Sequence, residues 1–207
     1  MWFDAICINQ DDLSEKGAQV GRMGSIYERA HGVVAGLGPQ SGNSALVLET
    51  LDFLGRQVEV TRDDWRLPAP GNTQGRWFSS SVDLPYSDNE WQALEDLVSR
   101  PWFVRLWVMQ EIVLGSDRAV LQCGSDVIEW DLFRRATLVL NDKTRLPSVA
   151  FRERLGLLGN LTRTSSQETF DTLLGRTRVQ ACSDPADKIY AIITLGAVSY
   201  THLTLPT

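Results

Sequence analysis

The segment "RPWFVRLWVMQEIVLG", residues 100–115, is almost wholly apolar or aromatic, yet it carries Arg105 and Glu111. A carboxylate among Phe103, Leu106, Val108 and Met109 loses hydration. Desolvation favours the neutral acid, which is how an active-site glutamate is tuned. A helix over 101–114 would set Trp107 and Glu111 four residues apart on one face, an indole beside the acid. The alternative is a structural ion pair with Arg105 or another cation, and residue chemistry alone leans that way. Asp4 poses the same choice within the apolar run "MWFDAICI". An acid at the carboxyl end of a parallel strand faces the ligand crevice of an open α/β sheet; it could equally accept bonds from amides of the next loop.

Other chemistries have little to work with. Two histidines, His31 and His202, and no Cys-x-x-Cys argue against a zinc or other metal site. Cys7, Cys123 and Cys182 are odd in number, widely spaced and set in apolar surroundings, and read as reduced, buried thiols. No Gly-x-Ser-x-Gly is present for serine hydrolysis. In "GLGPQSGNS" the spacing of Gly36, Gly38 and Gly42 only approximates a phosphate-cradling loop, and Pro39 removes an amide donor. A strand-ending turn is the better reading. The formal net charge of -6, with no Lys/Arg cluster, speaks against a nucleic-acid groove. No apolar run approaches the roughly 18–20 residues of a membrane span. The N-terminus lacks a signal-peptide pattern, and 43% apolar with 22% charged residues is ordinary for a globular protein; the reduced cysteines point to the cytoplasm.

The elements that must position these groups follow from pattern. "MWFDAICI" reads as a buried strand ending near Asn9. Asp11 or Asp12 then caps a helix over about 13–31, carried by Val20, Met23, Ile26, Tyr27 and Ala30 and weakened by Gly17, Gly21 and Gly24. "GVVAGLG" is a second buried strand, and Ser44 to about Gly55 a helix. Residues 56–86 lack periodicity and read as a variable loop. Ser87-x-x-Glu90 is a capping box. Arg100-Pro101 ends that helix and starts the next. "RAVLQCGSDVIEW" is a hairpin about Gly124-Ser125-Asp126, and helices follow at about 130–141, 149–161 and 167–178. In "SDPADKIYAIITLG", Asp184 is the N-cap, Pro185 the first helical residue, Asp187 sits near the positive helix end and Gly196 is the stop. Strand–helix–strand at the front implies a parallel α/β core, followed by a helical extension.

Three blocks in order, "WFDAICINQDDLSEKGAQVGRMGSIYERAHGVVAGLG", "RPWFVRLWVMQEIVLG" and "CSDPADKIYAIITLG", cover most of residues 2–196. They resemble the heterokaryon incompatibility (HET) domain of filamentous fungi, a domain in turn similar to Toll/interleukin-receptor (TIR) domains. The resemblance implies an effector of non-self recognition that triggers growth arrest and programmed cell death. It implies self-association and other incompatibility proteins as partners, with neither nucleic acid nor a membrane span. In NAD-cleaving TIR domains the glutamate of Trp-x-x-x-Glu is catalytic, which carries over to Glu111, with Asp4, Asn9 and Trp107 lining its pocket. NAD would then be a substrate, and no bound cofactor is implied. A non-catalytic scaffold is the remaining reading. Two departures stand out: Gly36 replaces the family's usual Trp, and the family's earlier strand does not precede "WFDAICINQ". The expected architecture is one domain over 1–196, α/β with a TIR-like (flavodoxin-like) parallel sheet core lacking its first strand, a helical extension and one β-hairpin. Residues 197–207 would be an irregular tail foreign to the pattern.

Overall fold

The front of the chain departs from the expected strand. The computed structural model describes residues 1–9, 11–61, 65–115, 118–163, 169–182, 184–193 and 195, without the side chains of Asp4, Ala5 and Leu13. Within "MWFDAICI", residues Asp4–Cys7 form a short helix, α1, in which Ile6 and Cys7 N–H both donate to Phe3 O, at 3.1 and 2.7 Å. An apolar run this short carries no period that separates strand from helix. Cys7 is exposed, against the expectation of a buried thiol, while Cys123 is buried and Cys182 half-buried. Asp12 caps α2 (Leu13–Val20), accepting from Ser14 and Glu15 N–H. The expected single helix over 13–31 breaks at Gly21-Arg22, where glycine weakens it, and resumes as α3 (Met23–Arg29). β1 (Val33–Gly36) follows within "GVVAGLG".

Gly38, at φ 99°, makes the turn out of β1. Arg100 closes that turn, donating through Nη1 to Leu37 O and Pro39 O and through Nη2 to Ser41 Oγ. These bonds make "GLGPQSGNS" a pinned turn. α4 (Ser44–Gln57) is followed by an antiparallel hairpin, β2 (Val58–Val60) with β3 (Arg66–Pro68), inside the stretch expected to be loop. Turns beyond it are held by the buried Lys143, whose Nζ donates to the carbonyls of Trp77, Ser79 and Val82. Burial pushes this ammonium down, and Asp83 and Asp142 pull it partly back. Ser87 and Glu90 form the expected capping box on α5 (Asp88–Val98). The helix expected over 101–114 is instead a 3-10 turn at Pro101–Val104, an extended Arg105, and α6 (Val108–Gly115). Arg105 is extended because it forms a parallel bridge with Ala181.

β4 (Ala119–Cys123) and β5 (Asp126–Glu129) form the expected hairpin, with Gly124 at φ 61°. β4 pairs parallel to β1 and antiparallel to β5, giving the order β1-β4-β5. The parallel partner of β1 is therefore β4, and residues 2–8 take no part in the sheet. α7 (Trp130–Asp142), α8 (Val149–Thr162) and α9 (Phe170–Thr177) agree with their expected spacing. α10 (Asp187–Ile193) starts later than expected. Asp184 and Pro185 belong to a turn before it, in which Asp184 Oδ1 accepts from Ala186 N–H at 2.8 Å. The expected stop at Gly196 and the tail 197–207 lie outside the described residues. The result is a mixed α/β fold with its core between the sheet, α4, α7 and α8, centred on Leu51, Leu54, Leu121, Phe133 and Phe151. Among the described residues no helix is long and apolar enough to cross a membrane.

Candidate functional site

A crevice of about 330 Å³ opens beside β1, large enough for a small ligand. Its walls include Trp2, Tyr27 and Trp102, and its charged groups are Arg105 and Glu111. Each comes from a different element. Trp2 precedes α1 and meets Tyr27 of α3 edge to face, with ring centroids 6.0 Å apart. Trp102 lies in the 3-10 turn, 6% exposed, and is braced edge to face by Phe103 at 5.1 Å. Glu111 is half-buried in the first turn of α6, where the positive helix end favours a carboxylate. Its N–H donates to Trp107 O at 3.4 Å. Gly36 lines the β1 side, and a Cβ built there meets nothing within 4 Å.

The segment that presents Glu111 is held from behind. Leu106 N–H donates to Ala181 O at 2.9 Å, and Ala181 N–H to Val104 O at 2.7 Å. The buried Gln110 donates through Nε2 to Tyr190 O at 3.0 Å. Trp107 donates through Nε1 to Asp187 Oδ2 at 3.2 Å. The indole expected to wall the pocket thus turns toward α10, and Trp102 takes the wall. Asp187 sits in the first turn of α10, near the positive helix end as expected, and also anchors Trp107. Lys188 ties the same region together, its Nζ donating to the carbonyls of Thr177, Arg178 and Gln180.

The other expected pocket residues fare differently. Asn9 is a turn residue: its Oδ1 accepts from Asp11 N–H and its own N–H donates to Glu15 Oε1. It does not line the crevice. The Asp4 side chain lies outside the described residues, and its backbone belongs to α1, not to a strand end. Of the expected set, Glu111 reaches the crevice, together with Gly36 and Arg105. Trp2, Tyr27 and Trp102 were missed because ring walls drawn from three separate elements leave no spacing signal. Chemically, flat aromatic walls with one carboxylate and one guanidinium suit a small ligand carrying a ring and charged or hydroxyl groups. Among the described residues no cluster of three or more His, Cys, Asp or Glu could hold a metal.

The family described as heterokaryon incompatibility protein (HET) matches residues 1–111. The chain is also similar to heterokaryon incompatibility protein 6, OR allele, of Neurospora crassa, with 33% identity over 141 residues. That match takes in 62% of this chain but 21% of the relative, so the chain spans about a fifth of its length. No solved structure matches.

Proposed function

This chain belongs to the heterokaryon incompatibility protein (HET) family, and we propose on that premise that it is an effector domain of fungal non-self recognition. In this reading it works in the cytoplasm with other incompatibility proteins, and its self-association leads to growth arrest and cell death. One observation carries it. Every residue lining the crevice, from Trp2 to Glu111, falls within the span 1–111 that matches the family. The crevice is thus built from the part of the chain that the family shares.

A second reading, favoured by the half-buried Glu111 against aromatic walls, makes the effector an enzyme of TIR type that cleaves NAD. Glu111 as carboxylate would stabilise the cationic ribosyl centre that develops as nicotinamide departs. Such stabilisation is strongest where water is excluded. Inducible expression in a fungal host tests both readings. The wild-type chain should arrest growth, and a culture that grows normally despite folded protein would sink the effector reading. Glu111→Gln keeps shape and removes charge; under the enzymatic reading it abolishes arrest and the release of nicotinamide measured by chromatography. Arrest that survives Glu111→Gln would leave the protein as a scaffold.

A further inference from the structure

Gln180 is 6% exposed, yet neither end of its side-chain amide has a hydrogen-bond partner among the described residues. Gln57, equally deep at 5%, shows a matched buried amide. Its Oε1 accepts from Thr73 N–H at 2.8 Å and Gln74 N–H at 3.0 Å, and its Nε2 donates to Phe53 O at 3.1 Å. A primary amide stripped of water without replacement bonds opposes whatever closure buries it. Buried polar atoms are matched so generally that an orphan asks for a reason.

Gln180 sits where the chain behind Glu111 closes. Its own N–H donates to Thr177 O in the last turn of α9. Lys188 Nζ then gathers the carbonyls of Thr177, Arg178 and Gln180 into one loop. The next residue, Ala181, accepts from Leu106 N–H, donates to Val104 O and bridges Arg105. From α10, Asp187 holds the Trp107 indole, and Tyr190 O holds the Gln110 side chain. All of these attachments end on residues 104–110, the approach to α6.

We propose that residues 178–182 and the start of α10 form a latch that opens as a unit. The unmatched Gln180 amide biases it toward opening, because the amide reaches water when the latch lifts. Closed, the latch sets the first turn of α6. Open, it releases Trp107 and Gln110, and with them the residue that follows, Glu111. Stability is uneven across folded proteins, and moving segments are drawn from its low end. The inference gives the site of the proposed function a control. It rests on that reading for the effect on growth arrest, not for the latch itself.

Hydrogen exchange of the full chain, followed at single amides through a series of urea concentrations, tests it. Leu106 and Ala181 N–H are the reporters, since each is bonded across the closed latch. In the wild type both should exchange at one rate, faster than the amides of β4. Their dependence on urea should be weaker, because lifting the latch exposes little surface. Gln180→Met keeps the length, removes the amide and should slow both about tenfold. Lys188→Met scatters the three carbonyls and should quicken both about tenfold. Wild-type exchange of the two amides in step with β4 overturns the latch. So does unchanged or faster exchange in Gln180→Met, since the amide is then matched when closed, as by a buried water. Should that variant not fold, unchanged exchange in Lys188→Met overturns the latch equally. Growth arrest in the fungal host separates the latch from the reading beneath. Weakened arrest in Lys188→Met supports control of the site, and arrest at wild-type strength in that variant overturns it. A folded wild type that arrests nothing sinks the effector reading, and exchange alone then decides the latch.

Discussion

Tyr86 shows what a single buried group contributes when its polar end goes unmatched. Its ring packs edge to face between Trp77 at 6.0 Å and Trp91 at 5.2 Å, but its buried hydroxyl has no hydrogen-bond partner among the described residues. Burial pushes the phenol up from its ordinary value of 10.0, and the charge of Glu90 pushes the same way. The folded state therefore holds its proton above pH 10, where the unfolded chain has lost it. Stability falls as pH rises through that range, because the unfolded state binds fewer protons. Tyr86→Phe keeps both ring contacts and removes the stranded hydroxyl. We expect it to raise stability by up to about 1 kcal/mol at neutral pH. It should also flatten the alkaline loss, measured as the urea midpoint at pH 8 and above pH 10. Equal alkaline slopes in the two proteins would show that the Tyr86 hydroxyl is not the titrating group.

At the scale of elements, the fold turns on how closely α4 meets α7. A Cβ on Gly55 would stand 2.4 Å from Leu132 O, a contact that backbone alone must relieve. Alanine is intrinsically the better helix former by up to about 1 kcal/mol. Overpacking against a carbonyl outweighs that gain, so Gly55→Ala should destabilise the protein by about 2 kcal/mol in denaturant unfolding. A gain in stability would mean that the two helices can slide apart. Neither the close approach nor its glycine was legible in the sequence, where Gly55 was simply the expected end of a helix. Local chemistry was legible. The capping box of Ser87 with Glu90 and the hairpin turned by Gly124 appear as read, and of the two acids offered as a cap, Asp11 or Asp12, it is Asp12. What pattern could not supply was anything decided at long range. The extended Arg105 depends on Ala181, and the turns after β3 depend on Lys143. "MWFDAICI" failed differently, since its apolar run fits either period and the structure leaves Ile6 80% exposed in α1.

For the molecule as a whole, the family match ends at residue 111, but the position of Glu111 is set by chain that comes later. β4 gives β1 its parallel partner, and the segment from Ala181 to Tyr190 clasps Val104 through Gln110 from behind. This dependence explains why spacing set Trp107 beside Glu111 while the structure turns its indole to Asp187: the Trp107–Asp187 bond spans 80 residues, and no local spacing encodes it. It also yields a test. Asp187→Ala leaves the half-buried Trp107 N–H without its acceptor, at a cost of about 1 kcal/mol in stability. The loss should be local as well as global, because Trp107 O receives the N–H of Glu111 in the first turn of α6. Hydrogen exchange should quicken at the amides of Met109, Gln110 and Glu111 more than in α7, which packs chiefly against α4 and α8. Under the proposed function, growth arrest should weaken too, although Asp187 does not line the crevice. Unchanged exchange at these amides would mean that ring packing alone holds Trp107, and that α6 keeps its first turn without α10.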